Sequence, residues 1–254
     1  MQYADTPAAW DRVVAACRRA GRVGFDTETY GHDIRSTSAP HRARIHVWSL
    51  AVSTGKLHPR GFYRAKGVML PAAALEYRPL VELLEDPGVV KLAHNLPHDV
   101  HSARNHGIVV AGGIDTLPRA RLTLVDELSH SLKPLMERKL GRTVITFEQV
   151  LTEPNVIEVS RRTKRRVCSC GADACRLRKG HEKSVVVDEW TEWVVRGTRL
   201  MPLESVVPGH ERFDLLTRYA IQDAEGVLEL DGYLDRAELH YLRQRGDVEI
   251  PWAA

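Results

Sequence analysis

Val23-Gly24-Phe25-Asp26-Thr27-Glu28-Thr29 is an apolar run that ends in two carboxylates one residue apart. Strand side chains alternate between faces, so residues two apart share a side. Read as a strand, this stretch sets Asp26 and Glu28 side by side in hydrophobic surroundings. Two adjacent anions repel, and burying them uncompensated is costly. A positive partner is therefore required, and hard oxygen ligands of this kind suit Mg²⁺ or Mn²⁺. A lone Asp-x-Glu is more often a solvated strand end, so the reading depends on carboxylates supplied elsewhere.

Outward from that stretch, Ala8 to Ala20 has apolar residues at helical spacing and ends at Gly21. Ile45 to Val52 and Gly61 to Leu70 read as two further strands with only turn residues between them, which implies antiparallel pairing. Pro71 to Glu85 reads as helical with a break at Pro79. Val89 to Ala93 reads as a short buried strand, Pro97 to His106 as a helix, and Ile114 as part of another strand. A helix then opens at Thr116, and Leu132 to Leu140 is helical up to Gly141. Phe213 to Leu242 carries apolar residues at the spacing of one long amphipathic helix. Strands that are first antiparallel and then alternate with helices predict a mixed α/β sheet.

Two later places echo the opening pair. The run His94-Asn95-Leu96-Pro97-His98-Asp99 passes from strand to helix and delivers Asp99 near a helix start, where an acid also favours the dipole. In Tyr219-Ala220-Ile221-Gln222-Asp223, residues four apart share a helix face, so Tyr219 and Asp223 point the same way.

Composition sets the frame. The chain has 254 residues, 43% of them hydrophobic, enough for one large domain or two small ones. No apolar run reaches membrane-spanning length and the N-terminus shows no signal pattern, so the expectation is a soluble, cytoplasmic protein without a membrane partner. Net charge is +3 but uneven: residues 160–183 hold nine Lys/Arg against two acids, so the rest of the chain is acidic. From about residue 151 to 207 the character changes, which marks an insertion within a single domain spanning 1–254. That insertion contains Cys168, Cys170, Cys175 and His181, four ligands of the types zinc takes in closed structural sites, at a spacing that is not a standard finger. A basic, zinc-binding subdomain follows as the expectation. Arg161, Arg162, Lys164, Arg165, Arg166, Arg176, Arg178 and Lys179 would grip nucleic-acid phosphates, or else keep a docking module soluble.

Asp26-x-Glu28, Asn95-x-x-x-Asp99 and Tyr219-x-x-x-Asp223, in that order, resemble the three motifs of the DEDD 3′–5′ exonucleases. The tyrosine resembles the DEDDy branch, with the proofreading domain of bacterial DNA polymerase I and ribonuclease D. The stretches Asp115-Thr116 and Ser131-Leu132-Lys133-Pro134-Leu135 are similar too, and the resemblance covers about residues 21–151 and 207–234. It implies a ribonuclease-H-like fold, two catalytic Mg²⁺ or Mn²⁺ ions, and hydrolysis at a single-stranded or frayed 3′ end of DNA, with RNA as the other substrate. By resemblance Asp26 bridges the metals, Glu28 and Asp223 complete the site that activates water, Asp99 holds the second metal, and Tyr219 orients the attacking water. Asn95 is implied in nucleic-acid binding. His98 departs from the pattern, standing where an aromatic residue commonly precedes the motif-two Asp, and residues 151–207 have no counterpart in the short family core. Without a polymerase domain in these residues, the expectation is a free-standing exonuclease beside a separately encoded polymerase. The rival class is a nucleic-acid-binding or docking module that keeps the fold but does not cut.

Overall fold

The computed structural model describes residues 3–30, 43–168 and 183–244, with backbone alone for 163–168, 183–188 and 243–244. It divides into two units, residues 1–151 with 202–254, and residues 152–201.

In the first unit, helix α1 (Pro7–Ala20) begins at Thr6, whose hydroxyl caps Ala9 N–H, and ends at Gly21 in the left-handed region. Strand β1 (Arg22–Tyr30) follows, then β2 (Arg44–Leu57) and β3 (Tyr63–Pro71). The stretch predicted as one broken helix is a 3₁₀ turn over Ala72–Glu76 and then α2 (Arg78–Glu85). The break falls at Tyr77, which is extended; Pro79 sits in the first turn of α2, where its missing N–H costs nothing. After α2 come β4 (Val90–Ala93), α3 (Leu96–Arg104), β5 (Gly113–Asp115) and α4 (Thr116–Thr123). Helix α5 (Leu132–Leu135) widens into a π turn over Met136–Leu140, stopped by Gly141 at φ 69°. Short α6 (Phe147–Leu151) and long α7 (Phe213–Gln244) complete this unit.

The sheet order is β3-β2-β1-β4-β5. β1 pairs antiparallel with β2, and β2 with β3, whereas β4 and β5 run parallel to β1. This is a mixed five-stranded sheet flanked by helices, consistent with the expected ribonuclease-H-like fold.

Alternation along β1 sorts its residues between two layers. Val23 and Phe25 face a core shared with Val14, Cys17, Trp48, Leu80 and Leu84. Each large apolar side chain buried there contributes roughly 1.5–3 kcal/mol. Gly24, Asp26 and Glu28 face the other side, where α7 crosses β1, β2 and β3. A second core fills the space between α7 and the α4–α5 region, with Leu135, Met136, Leu230 and Leu234 fully buried.

The second unit is a two-stranded antiparallel hairpin, β6 (Thr152–Cys168) against β7 (Lys183–Leu200). Trp190 and Trp193 are exposed on it. Arg161 pairs with Glu192 and Arg162 with Glu189, at 2.6 and 2.5 Å. Both arginines are expected phosphate contacts, and both remain more than half exposed beside these acids. Cys170, Cys175, His181, Arg176, Arg178 and Lys179 lie outside the described residues, as do the side chains of Cys168, Lys164, Arg165 and Arg166, so no zinc subdomain is part of the described fold. Among the described residues, no helix is long and apolar enough to cross a membrane.

Candidate active site

The site forms where α7 comes down on the C-terminal half of β1. The close approach is set by residue size. A Cβ at Gly24 would stand 2.0 Å from the carbonyl oxygen of Ala224, so only glycine fits beneath the helix there. Ser49 on β2 donates its hydroxyl to Ala220 O at 2.8 Å and fixes the same turn of α7. Tyr219 and Asp223, one turn apart, are thereby held over Asp26 and Glu28.

Asp26, Glu28 and Asp223 each present a ligand atom, and these atoms lie within 4.8 Å of one another. Glu28 and Asp223 are buried and Asp26 half-buried. Asp99 stands outside this trio. Strand β4 covers β1 only over Arg22–Gly24, which leaves the Thr27 N–H without a sheet partner on that edge. Asp99, in the first turn of α3, takes it: Thr27 donates both its N–H (3.0 Å) and its hydroxyl (2.7 Å) to Asp99 Oδ1. Thr27 lies on the opposite face of the strand from its acidic neighbours, so a single strand segment orients three carboxylates.

The electrostatics follow from burial and crowding. Burial first, and then Glu28, Asp223 and Asp99, push the Asp26 carboxyl well above its ordinary range. Glu28 is raised to about 8, chiefly by burial and then by the charge of Asp223. Asp99 is raised to about 7 by burial, against the opposing pull of its two bonds from Thr27. Asp223 is raised by burial and held back by Lys133. The Tyr219 hydroxyl is driven far up by burial and by the anions of Glu28, Asp223 and Asp26, so it keeps its proton. Four acids that resist ionising together, in a pocket of oxygen donors, need added positive charge.

The motif-two segment bends at Asn95, whose φ of 75° is the only positive value at a non-glycine among the described residues. Asn95 is exposed, and its N–H donates to Asp115 Oδ1 at 2.9 Å. His98 points at the Thr29 hydroxyl, 3.4 Å away. Three participants stood in quoted stretches of the sequence but had no role assigned there: Thr27, Lys133 and Gln222. Lys133, on α5, is ion-paired to Asp223 and lies 4.1 Å from the centroid of the Tyr219 ring. Gln222 accepts from Ile145 N–H at 2.9 Å and tethers the 141–146 segment to α7. A lysine in a short helix reads by default as solvated, and neither Thr27 nor Gln222 carries a spacing signal.

Residues 1–165, more than half of the chain, match the sequence family described as 3′–5′ exonuclease. DNA polymerase I of Rhizobium leguminosarum is 29% identical over 160 residues, covering 55% of this chain and 15% of the polymerase, so the similarity spans a small part of that longer protein. Similar solved structures are Brucella melitensis NrnC bound to pGG (TM-score 0.54, 16% identity, 96% of this chain and 81% of that one), the catalytic core of RRP6 from Trypanosoma brucei (0.51, 14%, 95% and 49%) and the Nibbler EXO domain of Aedes aegypti (0.51, 12%, 94% and 88%). At those identities they speak for the fold. The family match across residues 1–165 speaks for the lineage: the chain belongs to the DEDD 3′–5′ exonucleases, hydrolases that cut nucleic acid from its 3′ end.

Proposed function

We propose that this chain removes nucleotides one at a time from a single-stranded or frayed 3′ end, with DNA as its substrate and Mg²⁺ or Mn²⁺ as its ions. The observation that carries the reading is the trio Asp26, Glu28 and Asp223, whose ligand atoms lie within 4.8 Å of one another and are short of positive charge. Hard carboxylate oxygens fit those ions rather than softer metals, and a solved NrnC structure contains bound Mg²⁺. Asp26, Glu28 and Asp223 would hold one ion, and Asp26 together with Asp99 would serve a second. Ions bound there would make water nucleophilic and neutralise charge on the attacking and leaving oxygens of the phosphodiester.

The remaining work falls to the protein's own side chains. Tyr219 keeps its hydroxyl proton, so it orients a water by hydrogen bonding and does not act as the base. Its ring is steadied by Phe147, with centroids 6.1 Å apart. Thr27 occupies Asp99 Oδ1 with two bonds and fixes the direction in which the other oxygen faces. Asn95, exposed and at φ 75°, would touch the nucleic-acid strand; its exposure supports this.

DNA as substrate takes its support from the polymerase I similarity. Trimming of RNA or of very short oligonucleotides is the second reading, supported by the NrnC structure bound to pGG. Single-stranded DNA, a mismatched primer-template, RNA and pGG digested side by side with Mn²⁺, with and without chelator, test both. Mononucleotide release from the 3′ end, fastest on DNA and lost with chelator, is the expected outcome. Faster release from RNA or pGG moves the reading to trimming, and release from none leaves a non-cutting nucleic-acid-binding module. A preference for the mismatched primer would support proofreading beside a separate polymerase.

Residues 151–207 are proposed as an insertion that binds one structural zinc through Cys168, Cys170, Cys175 and His181. The donor set supports this. One zinc per chain by elemental analysis, lost in Cys170→Ser, is the expected result.

A further inference from the structure

Among the described residues, one lysine reaches into the acidic trio. Lys133 Nζ is ion-paired to Asp223 and rests over the face of Tyr219, 4.1 Å from the ring centroid, with 23% of its side chain exposed. Its charge restrains the upward shift of Asp26, Glu28 and Asp223 alike. The other donor to the Asp223 carboxylate among the described residues is neutral Gln222, at 3.5 Å. The π turn that follows α5 is sealed into the second core by Leu135 and Met136, so the lysine stands on a rigid base. A lysine here is therefore the internal substitute for the positive charge that the carboxylates require.

We infer that Lys133 is an exchangeable counter-ion. It neutralises Asp223 in the ion-free protein and must yield that carboxylate when a divalent ion takes it. This rests on the metal-site reading above and adds a consequence to it: Lys133 weakens metal binding in the absence of nucleic acid. One carboxylate cannot give its full charge to both cations, and the two cations repel each other. The displaced ammonium is not driven into bulk water, because the Tyr219 face offers it a cation–π contact beside the site. It then remains as fixed positive charge where an anionic strand must arrive. Lys133 is in this sense a positioning residue, acting through Asp223 and Tyr219.

The test is Mn²⁺ binding followed by electron paramagnetic resonance at pH 8, without nucleic acid, for the wild-type protein, Lys133→Gln and Lys133→Arg. Removing one partly exposed competing cation should tighten Mn²⁺ binding about three- to tenfold in Lys133→Gln. Lys133→Arg, with its stronger carboxylate grip, should bind Mn²⁺ no more tightly than wild type. The melting temperature of Lys133→Gln should fall in the ion-free state and recover on saturation with Mn²⁺. Equal or weaker Mn²⁺ binding in Lys133→Gln overturns the inference while leaving the metal site standing. Wild-type protein that binds no Mn²⁺ removes the site and the inference together. Should Lys133→Gln not fold, the arginine variant still decides, because tighter binding by it contradicts the competition.

Discussion

Helix α7 carries two groups of buried carboxylates, compensated in opposite ways. Toward its C-terminal half, Asp231 is ion-paired to both Arg22 and Arg119, and Arg119 reaches on to Asp235 (2.8 Å) and Glu238 (3.0 Å). Glu225 and Glu229 share Arg142 at 2.6 and 3.3 Å, and accept the N–H groups of Gly67 and Ala65. Two turns before Asp231, Asp223 meets Asp26 and Glu28, and among the described residues Lys133 is the one basic side chain paired to it. Burial raises Asp223 in the one group and Asp231 in the other. Around Asp231 the arginines lower it again, whereas around Asp26 most neighbours raise it further. Acids that the chain has already neutralised hold the structure together. Acids left short of charge mark the place where something else must bind.

The sharpest way to break this contrast is to remove one acid from each group. Asp26→Asn should lower ion-dependent release of mononucleotides on the order of 10³-fold or more, because positioned charge does most of the chemistry. The same variant should raise the melting temperature of the ion-free protein at pH 8, since a repelling charge is gone. Asp231→Asn should do the reverse: stability falls by about 2–3 kcal/mol, discounted because Arg22 and Arg119 are partly exposed, and activity per folded molecule persists. Denaturant titration and single-turnover digestion read the two effects separately. Loss of stability in both variants would erase the distinction.

Smaller effects sharpen it. Tyr219→Phe should cost about 10- to 100-fold in rate while Mn²⁺ binding is kept, because only the orienting hydroxyl is lost. The pH dependence has a definite sign. Burial raises Glu28 to about 8 and Asp99 to about 7 in the folded protein, above the ordinary values of about 4.3 for glutamate and about 3.9 for aspartate in an unfolded chain. Between these limits the folded state binds more protons, so ion-free stability should fall as pH rises from about 4.5 to about 8. Magnesium should cancel that slope, stabilising most at the alkaline end, where fewer protons must leave. Melting temperatures at pH 5, 6.5 and 8, with chelator and with Mg²⁺, check it.

Much of the site was legible from local spacing. The period of two along β1 places Asp26 and Glu28 on one face, and the helical period places Tyr219 above Asp223. Asp99 was legible as a helix-start acid, though its anchorage was not. The break assigned to Pro79 moved to Tyr77, because a proline in a helix's first turn begins a helix as readily as it interrupts one. The basic run reads as a phosphate grip; that Arg161 and Arg162 also pair with Glu192 and Glu189 across the hairpin depends on strand register, which the run itself does not give.

What the sequence determined by itself is whatever depends on neighbours along the chain: strand and helix periods, the switch from antiparallel to parallel order, and the three ordered motifs. Tertiary structure alone decided the contacts between distant segments. Gly24 admits Ala224, Thr27 holds Asp99 across 72 residues, and Lys133 settles on Asp223 across 90. The reason is physical: backbone period is a property of consecutive residues, whereas the partner of a buried charge depends on which packed layers bring oxygen and nitrogen within reach.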